Sequence, residues 1–258
     1  MSVIPSSNCI RCYFSNNPLN KAKCTSTKVE VFYAETESLD SRFSYLKHYI
    51  TNDEQLRAER FYSDKDRKTY IYCHALLRLI LAVNLNIDPL SLSFVKGPNN
   101  KPALQDDQAF FNIAHTREAF VIAFARDYPV GVDLEKIRDG LNTRSVSKTY
   151  FSKAENEFMQ KSKDDETGRF FMLWTRKEAL LKAIGTGIIN SLSDVNVSEP
   201  VNFIKKESFD SLDYNSVFDE YYIYSLKLSD YYLSVAIPQK SSISFYNLNE
   251  EDISAYLA

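Results

Sequence analysis

Glycine and proline are scarce in this chain, 6 and 8 of 258 residues, and histidine and tryptophan are scarcer still, 3 and 1. So little Gly and Pro argues against long disordered tracts beyond the N-terminus. Only four cysteines occur: Cys9, Cys12, Cys24 and Cys73. Cys9 and Cys12 have C-x-x-C spacing, but a structural zinc site needs four ligands and the nearest histidine is His48. They read as free thiols in a reducing compartment, which sets the expectation of a cytoplasmic protein. No apolar run is long enough to span a bilayer, since the longest uncharged one is Ala119–Ala125. The net charge of -3 gives no reason to expect a general nucleic-acid binder. Acids are missing ahead of Glu30, where Arg11, Lys21, Lys23 and Lys28 are the only charges. Residues 1–28, rich in Ser and Asn, are expected to be a disordered extension, with neither a clear amphipathic helix of a transit peptide nor the apolar segment of a secretory signal.

What is present reads as ordinary globular chain. Lys28–Ala34 alternates like a strand, and Ser38–Ile50, Asp53–Tyr62 and Asp64–Leu85 read as helices, the last capped by Asp64 or Asp66. Strands are expected at Ser91–Val95, Pro102–Gln105, Phe110–Ala114, Ala119–Ala125 and Val130–Leu134. Helices follow over 142–161 and 167–184, then strands at Asp194–Val197, Tyr221–Leu228, Tyr231–Ile237 and Ile243–Tyr246. Residues 75–94 and 179–197 echo each other, each a helix end, a loop and a short strand, with Ala-Leu-Leu-Arg78 matched to Ala-Leu-Leu-Lys182. The echo suggests two related α+β halves, 29–127 and 128–247. Residues 248–258 would be a C-terminal tail. Two such halves would form a cleft, a common place for a ligand.

Three constellations carry chemistry. In Gly131-Val-Asp133-Leu-Glu135, a strand would put Asp133 and Glu135 on one face, where two carboxylates repel unless a hard dication compensates. An exposed acidic edge is the plain alternative. In Trp174-Thr-Arg-Lys-Glu178-Ala-Leu-Leu-Lys182, helical spacing aligns Trp174, Glu178 and Lys182 on a helix apolar almost all round. Glu178 and Lys182 either pair locally or complete a metal and phosphate site. In Phe111-Asn-Ile-Ala-His115-Thr116, His115 ends a strand. Lys101-Pro102, Arg57, Arg60, Arg67 and Lys68 add positive charge to the first half, as a polyanion would require.

These motifs, in this order, resemble the Sfp-type 4'-phosphopantetheinyl transferases. The resemblance runs from Glu54 to Leu192 through Glu54-x-x-Arg57-x-x-Arg60-Phe61, Lys101-Pro102, Phe111–Thr116, Gly131–Glu135, Tyr150-Phe-Ser-Lys-Ala-Glu155 and Trp174–Gly187. It implies an α+β pseudo-dimer of two similar halves with the active site at their interface. It also implies a monomer that moves 4'-phosphopantetheine from coenzyme A to a serine of an acyl or peptidyl carrier protein. By the same resemblance Asp133, Glu135 and Glu178 would hold Mg²⁺. Lys182 would contact the pyrophosphate, and Glu178 and Lys182 would be catalytic. Arg57, Lys101, Pro102, His115 and Thr116 would hold the 3'-phosphate and adenine end. Two positions depart from the pattern: Ala114 stands where the family usually has Ser, and Thr69 where it often has Arg. Arg144, Lys148 and Lys153 are candidates to meet an acidic carrier. A non-catalytic coenzyme A- or carrier-binding protein and a metal-dependent phosphohydrolase stay open as other classes.

Overall fold

The computed structural model describes residues 10–12, 28–161, 165–187, 190–199, 202–205, 207, 218–251 and 253. In chain order the elements are β1 (Ile10–Cys12), β2 (Lys28–Glu35), α1 (Phe43–Leu46), α2 (Asn52–Ala58), α3 (Asp64–Leu85), β3 (Phe94–Lys96), β4 (Pro102–Leu104), β5 (Phe110–His115), β6 (Ala119–Ala125), β7 (Gly131–Lys136), α4 (Thr143–Tyr150), α5 (Lys153–Gln160), α6 (Glu166–Ile184), β8 (Asn202–Lys205), β9 (Glu220–Leu228), β10 (Tyr231–Ile237) and β11 (Ser242–Asn247). They form an α+β protein of two compact units. Among the described residues, no helix is long and apolar enough to cross a membrane.

The first unit comprises residues 9–95, 102–127 and 242–258. Its sheet has the order β1-β11-β2-β6-β5, with β11 parallel to β1 and β2, and β6 antiparallel to β2 and β5. β2 is central and buried on both faces, so Glu30 is buried too, held by Lys28 at 2.8 Å. Helix α3 packs on β6, and Leu76, Ile80, Phe32, Phe120 and Phe124 sit in the core. Ser63, not Asp64 or Asp66, caps α3: it is the last extended residue, and its hydroxyl accepts from the Asp66 N–H. Asp64 and Asp66 already lie in the first turn, where the helix dipole favours acids. Asn86 ends α3 in the left-handed region, φ 60°. The free thiol of Cys73 is buried in α3, and burial pushes its pKa up to about 12. Cys9 and Cys24 lie outside the described residues.

The second unit comprises Tyr128–Ser241 with Lys96–Lys101. Its sheet runs β7-β10-β9-β8, antiparallel throughout, and α6 packs on β7 and β10. Phe171, Leu180, Leu181, Met159, Val195, Tyr221 and Ile223 belong to its core.

Several expectations change on contact with the structure. Part of the supposed N-terminal extension, Ile10–Cys12, pairs with β11, while residues 1–9 and 13–27 lie outside the described residues. The last strand belongs to the first unit's sheet rather than to the C-terminal half, because its backbone pairs with β2. The segment after it is not a loose tail: the Leu248 N–H donates to Tyr33 O, and Leu248 and Ile253 are buried. Ser38–Ile50 alternates between 3-10 and short α-helical turns. The helix expected over 142–161 is two, because Ser152 opens a new helix with its own capping box. Asp194–Val197 is not a strand: its backbone groups bond buried side chains of other elements instead of a partner strand. The four-residue edge strand β8 was too short to read from periodicity.

Candidate active site

Strand β7 and helix α6 place the acidic motif. Val132 and Leu134 are buried, Asp133 is only 6% exposed and Glu135 is half-buried. Gly131 opens the strand against α6. A Cβ there would collide with Ala179 O and Ala183 N, so only glycine lets the helix backbone lie this close. The approach brings Glu178 and Lys182 to the carboxylates of β7. Lys182 Nζ lies 2.7 Å from Asp133 Oδ1, so the cation reaches across to the strand.

Two carboxylate oxygens, Asp133 Oδ2 and Glu178 Oε1, are buried without a hydrogen-bond partner. Burial, then Asp133 and then Glu135, against the pull of Lys182, push the Glu178 carboxyl up to about 7. Burial also raises Asp133, opposed by Lys182. Glu135 rises through burial and its neighbour Asp133, opposed by Arg138 and Lys182. Among the described residues, however, no three acidic, His or Cys side chains stand at the spacing of a preformed metal centre. The structure therefore brings the three carboxylates into one electrostatic field without closing them into a cage. That suits Mg²⁺, a hard cation normally held by one or two carboxylates with water and substrate phosphate. The two partnerless oxygens are the donors such an ion would take.

The neighbouring residue Lys177 is fully buried. Its ammonium sits 2.9 Å from Glu155, itself fully buried, and donates to Leu192 O and Val195 O. Glu155 closes a capping box with Ser152 and accepts the Val197 N–H at 2.8 Å. Neither residue has a role in the motifs read from the sequence, although S-x-x-E at a helix start is visible in Ser152–Glu155. On the sheet side, Ser234 stands opposite Asp133 and links Thr175 at 2.8 Å to Ser225 at 3.0 Å. Ser225 in turn accepts from Arg176 at 2.9 Å.

The residues expected at a nucleotide end behave differently from one another. Arg57 is exposed and lies over the Tyr70 ring at 5.6 Å, and His115 is exposed at the end of β5. Pro102 is exposed at the start of β4. The Thr116 hydroxyl is engaged in its own turn, accepting from the Glu118 and Ala119 N–H groups. Lys101 is directed inward: its ammonium donates to Lys182 O at 2.6 Å and Val130 O at 3.0 Å. Burial, with the nearby Lys182 charge, lowers its pKa to about 8. Thr69 is buried and donates to Lys65 O and Arg117 O. Arg67 and Lys68 are paired with Asp64 and Asp40. Of the carrier candidates Arg144, Lys148 and Lys153, Arg144 makes a two-pronged pair with Glu166, and Lys153 lies 4.0 Å from Glu157.

Comparison with known proteins agrees with this arrangement. Residues 129–236 match the family described as the 4'-phosphopantetheinyl transferase superfamily, and residues 36–126 match 4'-phosphopantetheinyl transferase, N-terminal. The chain is 31% identical over 168 residues to the 4'-phosphopantetheinyl transferase HetI of Nostoc sp., covering 63% of this chain and 71% of the relative. It is 30% identical over 183 residues to the transferase gsp of Aneurinibacillus migulanus, covering 65% and 76%. With Sfp of Bacillus subtilis the identity is 28% over 151 residues, covering 58% and 66%. A Synechocystis sp. relative, 31% identical, is matched over 61% of its length. By these matches, and by an acidic strand and a Lys-Glu helix meeting as described, the chain belongs to the 4'-phosphopantetheinyl transferase superfamily.

Proposed function

We propose that this chain transfers the 4'-phosphopantetheine arm of coenzyme A to a serine of an acyl or peptidyl carrier protein, with Mg²⁺, releasing 3',5'-ADP. The observation that carries the proposal is the meeting of Asp133, Glu135, Glu178 and Lys182, with two buried carboxylate oxygens left partnerless. Asp133, Glu135 and Glu178 would hold the Mg²⁺. Bound there, the ion would neutralise the pyrophosphate and the charge that grows on the leaving oxygen. Lys182 carries the second positive charge to the same phosphates. The carrier serine oxygen bonds to the β-phosphorus, the bond from that phosphorus to the bridging oxygen breaks, and 3',5'-ADP departs with the electron pair. Glu178 takes the serine proton, directly or through a bound water. Arg57, Pro102, His115 and Thr116 are proposed for the adenine and 3'-phosphate end, Thr116 through groups other than its engaged hydroxyl.

The test is to incubate the protein with coenzyme A, Mg²⁺ and an apo-carrier, then weigh the carrier. A gain of the phosphopantetheine mass supports transfer. Free phosphopantetheine with an unchanged carrier indicates hydrolysis, and no reaction indicates a binding protein. For the carrier, Lys148 is the informative position, because Arg144 is committed to Glu166. Lys148→Glu is expected to raise KM for the carrier more than KM for coenzyme A; both constants unchanged from wild type would reject a docking role.

A further inference from the structure

We infer that the loop Gly97–Lys101 is a positioning clip that closes the C-terminal turn of α6 and ties it to the start of β7, setting Lys182 against Asp133. The loop comes from the first half of the sequence but packs within the second unit. The last carbonyls of a helix have no partner inside it. Leu181 O is taken by the Gly185 and Thr186 N–H groups. Lys182 O receives the Lys101 ammonium at 2.6 Å, and Gly185 O receives the Asn99 amide at 2.6 Å. A cation at this end also suits the helix dipole. The same ammonium donates to Val130 O, one residue before β7. Lys101 thus bridges the two elements that carry Lys182 and Asp133, the pair 2.7 Å apart.

The loop is shaped for this. Asn99 and Asn100 are both left-handed, at φ 52° and 59°, a conformation unusual outside glycine and rarer still twice in succession. The Gly97 N–H closes the loop on Lys101 O at 2.8 Å. The geometry replaces a direct phosphate contact by the Lys101 side chain with a role exerted through Lys182. In that respect the inference rests on the proposed transferase site.

A double-mutant cycle tests it on the full chain. Coenzyme A binding is measured by calorimetry with Mg²⁺ for wild type, Lys101→Met, Lys182→Ala and the double variant. Lys101→Met is expected to weaken binding on the order of tenfold alone, but by less than about twofold once Lys182 is gone. Losses that multiply independently would make Lys101 a direct ligand contact and overturn the clip. Lys101→Arg, which keeps a donor for both carbonyls, should recover much of the loss. A second measurement needs no ligand: amide exchange across residues 178–187 should quicken in Lys101→Met and in Asn99→Ala, the latter at an exposed side chain. Unchanged exchange in both overturns the clip. Should wild type bind no coenzyme A, the transferase reading fails, and the exchange result alone decides the clip.

Discussion

The two units use one local plan and differ in what it holds. In each, the first strand of the repeat (β2 or β7) pairs antiparallel with the last (β6 or β10), which pairs antiparallel with the strand before it. A capping-box helix precedes a long helix in both: Thr51 with Glu54 before α3, Ser152 with Glu155 before α6. In both, the capping glutamate reaches a cation of the long helix, and that cation donates to two carbonyls of the loop beyond it. Glu54 meets Arg78, which donates to Pro89 O and Leu92 O. Glu155 meets Lys177, which donates to Leu192 O and Val195 O. Arg78 and Lys177 stand equally far before the left-handed residues that end their helices, Asn86 and Gly185. Counted from those cations, Glu178 and Lys182 correspond to Leu79 and Val83. The clamp therefore belongs to both units, whereas Glu178 and Lys182 stand in only one of them.

The largest expected effect tests that asymmetry. Asp133→Ala should cut carrier modification by about 10³-fold or more, whereas Val83→Ala, at the counterpart of Lys182, should change it by less than about threefold. Comparable losses would end the comparison. Next come the clamps. Lys177→Met and Arg78→Met should each lower unfolding free energy by about 3–5 kcal/mol in urea titrations, since each strands a glutamate. The Lys177 loss should be the greater, because Glu155 is wholly enclosed while the Glu54 side chain keeps 12% exposure.

A smaller effect has the opposite sign. Glu178 has a folded-state pKa of about 7 against an ordinary 4.5. Its ionisation therefore opposes folding increasingly as pH rises from 4.5 to about 7, while below 4.5 the cost is absent. Glu178→Gln should stabilise the metal-free protein at pH 8 by on the order of 2 kcal/mol while abolishing transfer. A lower Tm in the variant would contradict the electrostatic reading. The smallest effect falls in the first unit. Burial raises the Glu54 pKa, but bonds from His74, Arg78 and the Thr51 N–H outweigh it and bring it to about 2 from 4.5. Its stabilisation is present above pH 4.5 and disappears as pH falls through 2. The stability gap between wild type and Glu54→Gln, about 1–2 kcal/mol after solvent screening, should close over that window in acid titrations.

Much of this was readable residue by residue. The bounds of α3, β6 and β10 follow from apolar period and flanking turn residues, and those strands are buried on both faces. The acidic strand and the Lys-Glu helix were both visible as candidates. The echo between 75–94 and 179–197 was real as architecture, but its register was not. Letter matching paired Arg78 with Lys182, whereas the structure pairs Arg78 with Lys177, because the buried role of a cation is set by the glutamate it meets. The strand expected at Asp194–Val197 failed for a related reason: the Lys177 and Glu155 side chains occupy the backbone groups that a neighbouring strand would have used.

Most of the helices and strands, their apolar faces and the family that the motifs resemble can be read from the residues alone, since these depend on local period and order. Long-range packing, by contrast, sets Lys182 against Asp133, encloses Lys177 with Glu155, turns Lys101 toward two carbonyls and joins the last strand to the first sheet. Periodicity shows which side of an element faces inward. The partner waiting there comes from residues far along the chain, and it is chosen when packing excludes water and every buried charge and carbonyl must find a counterpart.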